Sequence, residues 1–229
     1  MSQKVCVIVG GGKGMGAAIA REMSNRNYKM ALMSPSENCE ILAKELNGFA
    51  LRGKAENKSD TNKLIKLTME KYGRVDSLLI HVGGPPKGDL LDISEDDWNK
   101  ANEMVLMPVI RLAKLVTPIM QSQGSGSIVN ITTFSAFEPS LIFPTSSVYR
   151  VGVSSFTKLY SDRYGKDGIR MNCLLPGFTD SLDLPQKFAD MSVFKRLATS
   201  KVATFLNPAS ISGNGATPMP TVLGTAICP

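Results

Sequence analysis

Seven residues near the start of the chain have the composition of a phosphate-binding loop. The segment 10–16 reads GGGKGMG and lies between an apolar run at 5–9 and an alanine-rich stretch that begins at Ala17. Glycine lets the backbone turn tightly and lets phosphate oxygens approach without a clash against a Cβ atom. A helix behind such a loop adds unpaired N–H groups and a partial positive charge. This placement predicts a cradle for the pyrophosphate of a dinucleotide.

The elements that must position this loop alternate along the chain. Continuous apolar runs rich in β-branched residues predict buried parallel strands, and amphipathic stretches predict helices. The predicted strands cover 5–9, 28–33, 78–80, 127–131 and 169–174, and the predicted helices cover 17–23, 37–46, 59–71, 94–121 and 146–164. Because helices supply the crossovers between parallel strands, the pattern predicts an α/β fold: a doubly wound parallel sheet, Rossmann-like, in three α/β/α layers.

Local signals refine the two long helices and the end of the chain. Ser94 opens a capping box, and Pro108 is expected to bend the helix that follows. Gly165 suits a left-handed cap at the end of the last predicted helix. We therefore expect a single domain over 1–206 that includes the substrate site. The segment 207–229, rich in Pro, Gly, Ala and Thr, is interpreted as an atypical tail, either loop with one short strand or disordered.

Composition narrows the class of protein. With 229 residues, 43% hydrophobic and 20% charged, the chain is expected to form one globular domain and not a disordered one. Its net charge of +6 comes from scattered residues, which favours a solvated basic surface over nucleic-acid binding. Four cysteines without metal-ligand spacing and one histidine predict no metal site, and Cys6 and Cys173 are expected in the core. With no signal peptide or membrane span apparent, we expect a cytoplasmic protein.

The spacing of the glycine loop carries a resemblance to a known family. Gly10, Gly14 and Gly16 are spaced as G-x-x-x-G-x-G. This resembles the fingerprint T-G-x-x-x-G-x-G of the short-chain dehydrogenase/reductase family, with Val9 in place of the threonine. The resemblance implies a Rossmann-like fold and a nicotinamide cofactor.

Three further segments fit the same resemblance in order and spacing. The segment 80–83 (IHVG) occupies the place of the family's NNAG at the end of the fourth strand, and 129–133 (VNITT) resembles the strand that leads to the catalytic serine. The segment 175–179 (LPGFT) resembles the Pro-Gly loop that holds the nicotinamide carboxamide. The match covers about residues 4 to 181, which makes it far more specific than the glycine loop alone.

The family's catalytic residues are altered in this chain. The resemblance implies hydride transfer between nicotinamide and a carbonyl or alcohol carbon, with a tyrosine as acid/base, a lysine four residues later, a polarising serine and a supporting asparagine. Gly152 anchors the alignment, which places Thr133 at the serine, Ser146 at the tyrosine and Arg150 at the lysine. The asparagine position falls on or near Val105.

These replacements leave the proton donor open. An aliphatic hydroxyl is a far weaker acid than a phenol, and arginine can hold ribose hydroxyls but does not relay a proton. Tyr149, one turn from Ser146, is a candidate displaced donor, with a packed aromatic as the alternative. We rank the proton sources as Tyr149, Ser146 and bound water. His81 has a side chain suited to acid/base chemistry, with a hydrogen-bonded structural histidine as the alternative.

The sequence favours NADP(H) and leaves NAD(H) open. Ser34 follows the second strand where a carboxylate would select NAD, and Lys13 is a cation within reach of a 2′-phosphate. The expected cofactor-binding residues belong to the loop, the strand ends and the Pro-Gly segment: Gly10, Gly12, Lys13, Gly14, Met15, Gly16, Ser34, Val82, Gly83, Arg150, Pro176, Gly177 and Thr179.

Two functions are therefore carried forward. The first is an NADP(H)-dependent oxidoreductase of the short-chain dehydrogenase/reductase type that acts on a small carbonyl or alcohol. The second is a catalytically weak or inactive nucleotide-binding protein of the same fold, serving as a sensor or assembly partner. The resemblance also implies a homodimer or homotetramer, although the family's V-D-G-G segment is missing from 207–229. We expect no nucleic-acid or membrane partner.

Overall fold

The computed structural model describes residues 3–177. Thr179 and the domain boundary predicted between residues 206 and 207 lie outside the described residues.

Within residues 3–177, six parallel strands form one sheet in the order β3-β2-β1-β4-β5-β6. The strands are β1 Val5–Val9, β2 Lys29–Ser34, β3 Phe49–Arg52, β4 Ser77–His81, β5 Gly126–Ile131 and β6 Ile169–Leu174. The helices are α1 Gly14–Asn25, α2 Asn38–Glu45, α3 Lys58–Tyr72, α4 Glu95–Gln123 and α5 Pro144–Tyr164, with 3₁₀ turns at Phe134–Ala136 and Gly165–Asp167. The strand order reverses between β1 and β4, as in a doubly wound fold, so the predicted fold class is confirmed.

The sheet has a separate hydrophobic core on each of its two faces, which gives the three α/β/α layers. In β1, Val7 and Val9 face a core that includes Leu64 of α3 and Val153 of α5. Ile8, between them, faces the other core with the buried residues of α1 and α2. This alternation follows from the two-residue period of a strand whose two faces are both covered.

The predicted core cysteines are buried. Cys6 is 2% exposed and Cys173 is 4% exposed. Burial raises the pKa of the Cys6 thiol to about 12, with a further contribution from Asp76. Cys6 is therefore an inert core residue at neutral pH.

The structure corrects two expectations from the sequence. The edge strand β3 was not predicted, because its four residues are half-buried or exposed and carry no continuous apolar run. Gly165 is not the left-handed cap of α5: its φ is −58°, and a 3₁₀ turn continues to Gly168, which has φ 75°. Ser94 does cap α4, since its side chain accepts a hydrogen bond from the Asp97 N–H.

No helix in the described part of the chain is long and apolar enough to span a membrane. The same residues contain no group of three or more His, Cys, Asp and Glu side chains that could hold a metal ion.

Candidate active site

The glycine loop connects β1 to α1 at the carboxyl edge of the sheet. Gly10 has a φ of 84°, and a Cβ atom there would lie 1.9 Å from the backbone oxygen of His81 at the end of β4. A Cβ atom at Gly16 would lie 2.1 Å from the backbone oxygen of Gly10. Side chains are therefore excluded at both positions, and the glycines allow α1 to begin directly against the strand ends.

The N-terminus of α1 has no side-chain cap, as is also true of α2 and α5, whereas α3 and α4 are each capped by a side chain. Asn57 and Ser94 accept hydrogen bonds from the first-turn N–H groups of α3 and α4. Lys13, the N-cap of α1, makes no such bond, and the first turn of α1 contains no acidic residue. The positive end of the α1 dipole is thus left for an anion from outside the chain, which fits a pyrophosphate.

A cavity of about 880 Å³ extends from this loop along the carboxyl edge of the sheet. It brings together most of the residues that the sequence analysis selected: Gly10, Gly12, Lys13, Met15, Ser34, Val82, Gly83, Thr133, Ser146, Arg150, Pro176 and Gly177. Gly14 and Gly16 belong to the glycine loop but do not line the cavity. Tyr149 does not line it either.

Arg150 of α5 is the most buried charged side chain of the site. Its Nη1 donates to the backbone oxygen of Ile131 at 2.8 Å, and its Nε donates to Oγ of Ser146 at 3.1 Å. Its Nη2 makes two longer contacts of 3.4 Å with the backbone oxygens of Val82 and Gly83. The guanidinium thus connects α5 to the ends of β4 and β5.

The charge of Arg150 is not balanced by an acid from the described residues, since its partners there are carbonyl and hydroxyl oxygens. The residue is 7% exposed. Burial lowers the pKa of Arg150 to about 10, which still leaves the guanidinium protonated at pH 7. An unpaired buried cation is costly, so the site favours a ligand that brings negative charge or several hydroxyl oxygens.

Thr133 and Ser146 both line the cavity and carry hydroxyl groups. Oγ1 of Thr133 accepts hydrogen bonds from the N–H and the hydroxyl of Ser135, at 3.5 and 3.4 Å. Oγ of Ser146 accepts from Arg150. Each hydroxyl acts as an acceptor in these contacts, so its own proton can be donated into the cavity.

Tyr149 lies against a different neighbour. Its ring packs edge-on against Trp98 of α4, with the ring centroids 5.9 Å apart. Val105, at the family's asparagine position, is 1% exposed and belongs to the core. The structure therefore groups Thr133, Ser146 and Arg150 and places Tyr149 on the α4 side of α5. The role of Tyr149 as donor stays a prediction.

The cavity lining also includes His81 and three residues that sequence reasoning missed, Lys87, Phe143 and Thr145. His81, which had been considered as an acid/base, lines the cavity, and burial together with the charge of Arg150 lowers its pKa to about 4. It is therefore neutral at pH 7 and is a poor proton source. Lys87, Phe143 and Thr145 follow the ends of β4 and β5, where ligand-binding loops of this fold occur, and that position was the available signal.

The strand order and the glycine loop at the point where it reverses define the Rossmann-like class of α/β proteins. The family model described as short chain dehydrogenase matches residues 4–191. The chain belongs to the short-chain dehydrogenase/reductase family.

Individual relatives support the same family at modest identity. The chain is 27% identical to human "Dehydrogenase/reductase SDR family member 4" over an alignment of 187 residues that covers 77% of this chain and 66% of the human protein. It is 26% identical to "3-oxoacyl-[acyl-carrier-protein] reductase" of Synechocystis sp., covering 78% and 75% of the two chains. It is 31% identical to "7alpha-hydroxysteroid dehydrogenase" of Bacteroides fragilis, covering 76% and 71%. The chain thus covers just under two thirds of the human relative.

Proposed function

We propose that this protein is an NADP(H)-dependent oxidoreductase that interconverts a small carbonyl compound and its alcohol. The observation that carries the proposal is the continuity of one cavity from the uncapped N-terminus of α1 to the hydroxyls of Thr133 and Ser146. NADPH, when bound, supplies the hydride. The chain's own residues hold the two reactants together, polarise the carbonyl and supply a proton to the substrate oxygen.

The cofactor is expected to lie across the carboxyl edge of the sheet. The first-turn N–H groups of α1 would bind the pyrophosphate. Ser34 and Ser36 line the cavity after β2, where a carboxylate would favour NAD(H), and Lys13 lines it beside them. This combination of hydroxyls and a cation supports a preference for a ribose that carries a 2′-phosphate.

Arg150 would hold the nicotinamide ribose. Among residues 3–177, its Nη2 makes two contacts of 3.4 Å, and these are longer than a strong N–H···O bond. Those N–H groups can turn to ribose hydroxyls while Nη1 keeps its bond to Ile131. The family's lysine position is thereby occupied by a group that binds the sugar and stays charged.

The proton is assigned to Ser146 acting as a relay. Thr133 would donate a hydrogen bond to the substrate oxygen as that oxygen gains charge. Ser146 would donate its Oγ proton to the same oxygen and recover a proton from water. The charge of Arg150, whose Nε donates to Oγ of Ser146, stabilises the transient negative charge on the serine oxygen.

We expect Ser146→Ala to lower kcat by about 10- to 100-fold, because the relay is lost and water replaces it imperfectly. Tyr149→Phe should keep most of the activity, because its phenol lies outside the cavity lining. Turnover is measured as NADPH consumption with a panel of small aldehydes and ketones. Loss of activity in Tyr149→Phe with survival in Ser146→Ala would reverse the assignment.

We expect Lys13→Met to weaken NADPH binding by about tenfold and to leave NADH binding nearly unchanged, because the lost charge faces the 2′-phosphate alone. Both dissociation constants are measured by calorimetry. Lys166→Met, which changes the same charge on the 3₁₀ turn after α5, is the control. Equal weakening for the two cofactors would contradict the assignment of Lys13.

A second function, nucleotide binding without efficient catalysis, is favoured by one observation. No tyrosine is among the described residues that line the cavity, and Tyr149 packs on Trp98. A sensor or assembly protein would bind NADPH and turn over none of the carbonyl panel. Binding together with turnover supports the first function.

Self-association is the remaining part of the proposal. Val148, Val151 and Leu159 form an exposed apolar stripe along α5. Exposed apolar area of this kind is typical of an interface. We propose that a second copy of the chain covers it, giving a homodimer or, with a further interface, a homotetramer.

A further inference from the structure

We propose that Lys87 binds an anionic group of the substrate, so that the substrates are carbonyl compounds or alcohols that also carry a carboxylate or a phosphate. This inference rests on the proposed oxidoreductase function and names the substrate class of the same site. The relevant feature is the segment that follows β4 and forms one wall of the cavity.

Two contacts restrict the position of Lys87: one is made by the preceding residue and the other by its own side chain. The preceding residue, Pro86, accepts a hydrogen bond of 2.5 Å from Oγ1 of Thr145, in the first turn of α5. Nζ of Lys87 lies 4.8 Å from the centre of the Phe143 ring. A cation over an aromatic face gains roughly 0.5–1 kcal/mol at an exposed site, which restricts a side chain that is otherwise flexible. Lys87, Phe143 and Thr145 all line the cavity.

The charges around the cavity are unevenly placed. Three cations, Lys13, Lys87 and Arg150, line it, and Glu56 is the one carboxylate among its described lining residues. Glu56 follows β3, which is three strands from β4 in the sheet, or about 14 Å at 4.8 Å per strand. The carboxylate therefore lies toward the β3 end, and the charged lining residues described at the β4–β5 end, Lys87 and Arg150, are both cations.

Of these cations, Lys87 is the one left for the substrate. Lys13 lies on the glycine loop, and Arg150 is engaged by the serine and the strand-end carbonyls. Lys87 forms no ion pair with a carboxylate of residues 3–177; the ion pairs there involve other cations. Since the glycine loop fixes the pyrophosphate beside β1, the ammonium at the end of β4 faces the part of the cavity beyond the cofactor.

The chemistry of that part selects a compact molecule with an apolar body and one anionic group. Phe134 and Phe143 line it with aromatic surface, and Thr133 and Ser146 offer hydroxyls for the reacting oxygen. Lys87 is an exposed residue, so water screens part of its attraction for an anion, and the expected preference for an anionic substrate is modest. A neutral molecule of the same shape would not gain from the attraction to the Lys87 ammonium.

The test compares carbonyl probes that differ in charge. The probes are 4-formylbenzoate, its neutral methyl ester and 4-formylphenyl phosphate, each reduced with NADPH by the wild type and by Lys87→Met, Lys87→Arg and Lys166→Met. We expect wild-type kcat/KM to favour an anionic probe over the ester by roughly tenfold, mainly through KM. The better of the two anions distinguishes a carboxylate from a phosphate site.

The variants distinguish binding of the anionic probe at Lys87 from a general attraction of anions to a positively charged protein. Lys87→Met should bring the anion-to-ester ratio close to one, Lys87→Arg should retain most of it, and Lys166→Met should leave it at the wild-type value. A wild type that prefers the ester, or a Lys87→Met variant with an unchanged ratio, overturns the proposal.

A binding measurement keeps this inference distinct from the proposed reaction. 4-(Hydroxymethyl)benzoate and its methyl ester are titrated calorimetrically into the NADP⁺-loaded protein and into the Lys87→Met variant. If none of these probes is reduced, the titration alone decides the role of Lys87, and the panel of small aldehydes and ketones decides the proposed reaction. Tighter binding of the acid in the wild type, lost in the variant, supports the role, and equal affinities reject it.

Discussion

Replacing Arg150 by methionine is expected to weaken NADPH binding at least tenfold and to lower kcat/KM at least a hundredfold. Methionine keeps an unbranched apolar stem of similar length, so the change removes mainly the five N–H donors. The loss affects the ribose contact, the support of Ser146 and the connection to the carbonyl of Ile131 together. Calorimetry with NADPH and steady-state kinetics measure the two effects. NADPH affinity equal to that of the wild type would contradict the ribose assignment.

Arg150→Lys is the matched control for this prediction. Lysine preserves the charge but cannot reach Ser146 and the strand-end carbonyls at once, because its ammonium is a single point and lacks the guanidinium fork. We expect an intermediate affinity for NADPH. A lysine variant as defective as the methionine variant would show that hydrogen-bond geometry, and not charge, is the contribution of Arg150.

His81 provides an independent measurement on the same variant. It is the chain's one histidine, so its ring signal in an NMR titration needs no assignment. Its pKa of about 4 in the wild type has burial as its main cause and the charge of Arg150 as the second. Arg150→Met should therefore raise this pKa part of the way toward 6.5. A His81 pKa that stays at about 4 would show that the charge of Arg150 does not affect the histidine.

The sign of the pH effect on stability follows from the same pKa. The folded histidine titrates at about 4 and the unfolded one near 6.5, so the unfolded chain binds more protons between these values. Stability from this group is complete above about pH 6.5 and is lost as the pH falls to about 4, by about 3 kcal/mol. Arg150→Met should reduce that acid-side loss.

Gly10→Ala is expected to destabilise the fold by about 3 kcal/mol and to abolish NADPH binding. The φ of 84° at Gly10 strains any other residue by about 1 kcal/mol, and the new methyl group would lie 1.9 Å from the His81 carbonyl oxygen. The β1 and β4 ends must separate to admit it, which deforms the loop that is proposed to hold the pyrophosphate. Thermal unfolding should show a fall in Tm of roughly 6–12 °C.

Gly165→Ala controls for the general effect of removing a glycine. Its φ is −58°, and no atom of residues 3–177 lies within 4 Å of a Cβ atom built there, apart from its chain neighbours. We expect a change of less than about 0.5 kcal/mol, with NADPH binding retained. If Gly10→Ala unfolds at the same temperature as Gly165→Ala, the close contact between the loop and β4 is wrong.

The fold could be predicted from the sequence because its signals are local. Val5–Val9 and Ile169–Leu174 are continuous apolar or alternating runs, and the glycine loop lies at a strand-to-helix junction, so each element is indicated by its own residues. The edge strand Phe49–Arg52 failed this test because an exposed edge has no requirement for a continuous apolar run. Gly165 was misassigned because a 3₁₀ turn shifted the left-handed residue to Gly168.

The sequence predicted which residues belong to the site but not how these residues contact one another. The alignment to the family, anchored at Gly152, selected Thr133, Ser146 and Arg150, and all three line one cavity in the structure. Three of the four hydrogen-bond partners of Arg150 described here are backbone oxygens, up to 68 residues away, and backbone acceptors leave no trace in residue type. The contact of Tyr149 with Trp98 likewise joins residues 51 positions apart, on two helices whose relative rotation no local pattern determines.

The contact between Trp98 and Tyr149 has a practical consequence. Trp98 is the chain's one tryptophan, and its indole touches the side chain next to Arg150 on α5. Tryptophan fluorescence therefore arises from a single known position at the α4–α5 contact. Any shift of the first turns of α5 relative to α4 changes the surroundings of that indole, so the emission maximum reports such a shift in the unlabelled protein.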